Sequence, residues 1–206
     1  MTQPSRQPGA SPSNESFTPQ QVLDFWFSGD MSKRWFSGGP ELDEEIRSKF
    51  GRLVALAQAG GLTDWEAEPQ SRLALVIVLD QFSRNIFRGK AKAFAGDARA
   101  QQLVTDALAR GFDEQLPWMG RVFLYMPLMH AENLPLQEES VRRFTALAEA
   151  VPEALRSGVR SSLDFAIQHR DIIARLGRFP YRNAALSRTN TALEFDFLKI
   201  GPRFGQ

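Results

Sequence analysis

A chain of 206 residues with 25 Lys and Arg against 24 Asp and Glu is almost neutral, and it has no overall field that would draw nucleic acid or an anionic membrane. It contains no cysteine, which excludes disulfides, thiolate nucleophiles and Cys-type zinc sites together and favours a reducing, cytoplasmic setting. The longest apolar run, Leu73 to Leu79, stops at Asp80, far short of the roughly 20 residues that a membrane helix needs.

Met1 to Ser16 is rich in Pro, Ser, Gln and Gly without an apolar segment, so it is neither a secretory signal nor a transit peptide. Residues 1–17 are expected to be a disordered tail, and residues 18–206 one domain. Thr18, Pro19 and Gln21 spell a capped helix start before Val22-Leu23-Asp24-Phe25-Trp26-Phe27. Pro40 opens a second helix, closed by Gly60-Gly61, whose first-turn acids Glu41, Asp43, Glu44 and Glu45 suit the helix dipole and read as a solvated start.

Pro69 opens a third helix, predicted to run to about Phe87. Its stretch Leu73 to Leu79 is partly β-branched, but apolar residues continue at helical spacing through Phe82, Ile86 and Phe87. A helix apolar on every side belongs at the centre of the fold. Asp97 is expected to cap a fourth helix ending at Gly111. Pro117 leads a fifth that Pro127 stops or kinks. A sixth spans about Leu136 to Ala150. Pro152 opens a seventh that reaches Leu176 and ends at Gly177, and the capping box Thr191-Ala192-Leu193-Glu194 starts the last, which stops at Gly201-Pro202. About eight helices with short loops and no alternating strand pattern predict an all-α stack or bundle.

Three features resist a plain core. At 3.6 residues per turn Asp80 and Arg84 continue the stripe of Leu73, Val76 and Ile77, with Gln81 and Asn85 beside them. If that end is buried, an Asp80 to Arg84 bridge is expected, with Arg84 either tying a loop or facing a ligand. The chain's two histidines are the second feature. His169 shares a face with Phe165, Ile172, Ile173 and Leu176, and His130 follows an apolar run two residues before Glu132. Third, Arg170, Arg175, Arg178, Arg182 and Arg188 are opposed only by Asp171 between His169 and Arg188, which reads either as an anion-binding wall or as a solvated end bridged to acids elsewhere.

Familiar catalytic patterns are missing. There is no Gly-rich phosphate loop, nucleophile elbow or His-Glu-x-x-His. His169-Arg170-Asp171 lacks every other kinase feature, and His130-Ala131-Glu132 lacks the cysteines of a zinc deaminase. A metal held by His130, Glu132, His169 and Asp80 has no support from spacing, so no metal and no cofactor are expected. Phe179 and Tyr181 among the arginines permit base stacking, but the overall charge argues against nucleic acid.

The segments Val22 to Phe27, Leu79 to Gly89, Phe123 to Glu132, His169 to Asn183 and the closing Phe204-Gly205-Gln206 together resemble the bacterial domain-of-unknown-function family 924. The resemblance covers nearly everything after the tail. It departs at Ser83, where the family's proline is expected. It implies a tetratricopeptide-repeat-like fold of antiparallel helix pairs and no established reaction.

The expected ligand site is Asp80, Arg84, Asn85, His130, Glu132, His169, Arg170, Arg178, Arg182 and Asn183, with Gln81 nearby. Its first reading is capture of an anionic small molecule or a peptide carboxylate. The second is a cofactor-independent enzyme with His130 or His169 as general acid or base. The third is a buried polar network that only fixes helix packing.

Overall fold

The computed structural model describes residues 17–35 and 37–204, and among them there is no strand. Eight helices follow one another: α1 Pro19–Trp26, α2 Pro40–Gln58, α3 over residues 69–86, α4 Asp97–Ala109, α5 Trp118–Met129, α6 Leu134–Ala150, α7 Glu153–Leu176 and α8 Ala192–Ile200. The expected all-α fold is therefore the one observed. Of the expected tail, residues 1–16 lie outside the described residues, while Phe17 packs against the main core. No described helix is long and apolar enough to cross a membrane.

Local signals account for most of the ends. Thr18 and Thr191 each close a full capping box, with Gln21 and Glu194 reaching back to the cap backbone. Gly177 ends α7 in the left-handed conformation, at φ 72°. Three ends differ from expectation. Asn133 caps α6, its side chain accepting from Leu136 N, so that helix starts two residues early. The fifth helix continues past Pro127 to Met129, because the ring removes one backbone donor while burial on every side holds the chain in place. Asp97 is not the cap of α4: Gly96 holds that position, and Asp97 is the first helical residue with its carboxylate turned to two arginines.

Helix α3 forms the centre, every residue from Leu73 to Asp80 being buried, and it touches α1, α2, α4 and α5. Its middle turn, Val78–Phe82, is π-helical. The Ser83 hydroxyl donates to the Val78 carbonyl five residues back, at 3.3 Å. Gly96 lies against this wide turn, where a Cβ would stand 2.8 Å from the Leu79 carbonyl oxygen. The main apolar core spans α1 to α7, and a smaller one gathers Ile172, Ile173 and Phe179 with Leu176, Tyr181, Phe197 and Phe204. Polar side chains from the elements bounding both cores meet one another.

Candidate functional site

Asp80 sits in the π-turn and is 1% exposed. Burial alone would raise its pKa, but the Arg84 charge and His130 outweigh that and hold the carboxyl well below the usual range. Arg84 Nη1 lies 2.8 Å from Asp80 Oδ1, the bridge expected from their spacing. Gln81 Nε2 donates to Oδ2 at 2.6 Å. His130, at the end of α5, brings Nδ1 within 2.9 and 3.0 Å of the two carboxylate oxygens.

Arg84 also grips Asp97 with both terminal nitrogens, at 3.0 and 3.1 Å. Arg182, in the short turn Pro180–Arg182, donates to the same carboxylate at 3.3 Å and to the His130 carbonyl at 3.0 Å. Its guanidinium lies between the rings of Phe94 and Phe179, 4.7 and 4.5 Å from their centroids. Two aspartates thus answer two arginines in a closed, charge-balanced set. One donor is left over: Arg182 Nε is buried without an acceptor.

The histidines share a tautomer. A carboxylate only accepts, so His130 Nδ1 carries the proton toward Asp80; His169 Nδ1 donates to the Phe165 carbonyl at 2.7 Å. Burial pushes both pKa values down. For His169, with further repulsion from His130, the value reaches about 3; for His130 the Asp80 charge opposes the burial without cancelling it. Neutral rings protonated at Nδ1 leave Nε2 as a bare lone pair, and neither Nε2 meets a hydrogen-bonding partner among the described residues. The ring centroids lie 5.9 Å apart. Phe204 stacks on His169 at 3.8 Å, Phe179 meets it edge-on, and the Tyr181 hydroxyl, its pKa pushed up to about 12 by burial, feels both arginine charges.

The structure therefore brings together Asp80, Arg84, His130, His169 and Arg182 of the ten expected residues. Glu132 and Asn183 stand next to them in an adjoining cluster: Arg188 bridges Glu132 at 2.6 Å, Glu132 accepts from Phe179 N at 2.8 Å, and Asn183 Oδ1 accepts from Arg188 Nε at 2.8 Å. The other three lie elsewhere. Asn85 donates to Asp43 at 2.7 Å, which also binds Arg88, so Asp43 is a tied acid rather than a solvated one. Arg178 pairs with Glu194 at 2.6 Å, and Arg170 with its exposed neighbour Asp171. Among the described residues no group of three or more His, Asp or Glu is arranged to hold a metal ion.

Sequence reasoning missed Asp97 and Phe94 as members of the site. The acid at the start of α4 carries the same signature whether it caps the helix or leaves it, so the distinction needs the tertiary partner. The π-turn carries no pattern of its own.

The chain belongs to the family described as "Bacterial protein of unknown function (DUF924)", whose profile matches residues 22–201. A solved protein of unknown function from Agrobacterium tumefaciens, ATU0120, is similar throughout: 32% identical, with a TM-score of 0.77 over 88% of this chain and 96% of that one. No curated protein matches.

Proposed function

We propose that this domain performs acid–base chemistry on a small bound molecule without a cofactor, His130 taking a proton and Asp80 holding its ring. One observation carries this reading: a buried carboxylate on His130 Nδ1, at 2.9 Å, with a bare Nε2 on the far side of the ring. A carboxylate in that position fixes the tautomer and stabilises the imidazolium that proton uptake creates. His130 is half-buried, with 16% of its side chain exposed, whereas His169 is buried, so His130 is the more accessible of the two rings. Arg84 and Arg182 stand close enough to act on His130 and His169, where their charge adds to burial in keeping the resting imidazoles unprotonated. The π-turn at Asp80 supports the same reading, because such turns are frequent at functional sites. Capture of a resident anion is less well served, since Asp80 and Asp97 already answer both arginines.

Nitrogen-15 NMR of the imidazoles at pH 7 tests the tautomer, and carbethoxylation by diethyl pyrocarbonate tests access. His130 should be neutral with Nε2 bare and should react faster than His169; Asp80→Asn should slow that reaction in folded protein. A His130 that is doubly protonated at pH 7, or inert in the folded chain, refutes the proposal.

A further inference from the structure

The unmet hydrogen-bonding groups of the site define what fits it, which rests on the reading of His130 as a proton acceptor. Arg182 is 95% buried by side chain, as its 5% exposure states, and its Nε–H has no acceptor. An unpaired buried donor is costly, so a ligand oxygen there would be strongly favoured. His130 and His169 each offer one lone pair. The inventory is one donor and two acceptors.

Charge narrows the class. Asp80, Asp97, Arg84 and Arg182 balance, and burial disfavours the charged form of both imidazoles. An anion entering this set would lose its water without gaining an unanswered cation, whereas a neutral molecule escapes that penalty. The complement of one donor and two acceptors is one acceptor oxygen with two N–H bonds, which is a primary amide. Spacing agrees: an NH2 group that bridges two acceptors at ~2.9 Å each holds them roughly 5 Å apart. The two imidazole centroids lie 5.9 Å apart, a separation of the same order.

We infer that the site takes an uncharged primary amide, of the carboxamide or urea type, with its carbonyl oxygen on Arg182 Nε and its NH2 bridging His130 and His169.

The test titrates the full chain with acetamide, N,N-dimethylacetamide and acetate, reading the imidazole Nε2 resonances by nitrogen-15 NMR. Acetamide should shift both resonances and saturate. Dimethylacetamide, which lacks N–H, and acetate, the anion of the same shape, should each bind about tenfold more weakly or worse, the effect of one buried hydrogen bond left unmade. Acetate binding as tightly as acetamide overturns the amide class and leaves His130 as a proton acceptor untouched. Dimethylacetamide binding as tightly as acetamide does the same. If none of the three moves either resonance, water fills the valences and the inference fails, while the tautomer and carbethoxylation measurements still decide the proposal on which it rests.

Discussion

Replacing Asp97 by Ala should cost this protein a large part of its stability. The carboxylate accepts two bonds from Arg84 at 3.0 and 3.1 Å and one from Arg182 at 3.3 Å, and is itself 12% exposed. Removing one partner of a buried pair leaves the other charge stranded, at about 3–5 kcal/mol. Loss of an acid from the first turn of α4 adds about 0.3–1 kcal/mol. Arg84 keeps Asp80 and Arg182 keeps the His130 carbonyl, which places the expected loss near the lower end, at about 3–4 kcal/mol. With a urea m-value of about 2–3 kcal/mol/M the midpoint should fall by between about 1 and 2 M at unchanged m. Asp171→Ala, which breaks the exposed pair with Arg170, is the control and should cost under about 1 kcal/mol. If Asp97→Ala costs no more than that control, the arginines do not depend on Asp97 and the description of a closed network is wrong.

Other outcomes follow from the same geometry. The folded pKa of His169, about 3, lies below the unfolded value of 6.5, so between these values the unfolded chain binds a proton that the folded one refuses. Its contribution is complete above pH 6.5 and lost on acidification towards pH 3, by up to about 1.4 kcal/mol per pH unit, and His130 acts in the same direction. The carboxylates act lower: Glu194, held near 2 chiefly by Arg178, loses its contribution as pH falls from 4.5 towards 2. Urea midpoints between pH 6.5 and 5 therefore report the histidines, and His169→Gln should flatten that slope; an unchanged slope would show that His169 is not a buried neutral ring. Gly96→Ala should destabilise by about 1–3 kcal/mol, since its Cβ would stand 2.8 Å from the Leu79 carbonyl oxygen, a backbone atom that cannot swing aside. Gly158→Ala, in the second turn of α7 with nothing near the added carbon, should stabilise by about 0.5–1 kcal/mol; the same denaturation experiment checks both signs.

Legibility in the sequence followed the range of the interaction. The boxes at Thr18 and Thr191 and the Asp80 to Arg84 bridge join residues three or four apart, where helical geometry alone decides the outcome. The bond from His130 to Asp80 joins residues fifty positions apart, and nothing local announces it. Asn85 lies beside the Asp80 and Arg84 stripe and Arg170 belongs to the arginine-rich stretch, yet one step along a helix turns a side chain by about 100°, and both point to other partners. Charge counting left the arginines open between an anion-binding wall and bridges to acids elsewhere, and the second is what Glu194, Asp97 and Glu132 supply to Arg178, Arg182 and Arg188 from other elements.

The cluster at His130 is distinguished from ordinary buried polarity by what it leaves undone. A second network in the same fold is complete: buried Asp113 accepts from the Tyr125 hydroxyl at 2.7 Å and from Arg143 at 3.1 Å, and Arg143 turns its Nε to Glu139. Burial and that acid hold the tyrosine protonated by pushing its pKa up, and every charged group there has its partner. Such an arrangement ties α5 to α6 and asks for nothing further. At His130 the fold accepts a π-turn in its central helix, a glycine pressed on that turn, and three buried charges, a kind of group that well-packed apolar residues often replace without loss of stability. It then leaves two imidazole lone pairs and one guanidinium N–H unanswered. Departures from local consistency gather where a fold serves something besides its own stability. Here they coincide with groups that a bound molecule would complete, and that coincidence separates this cluster from a packing device.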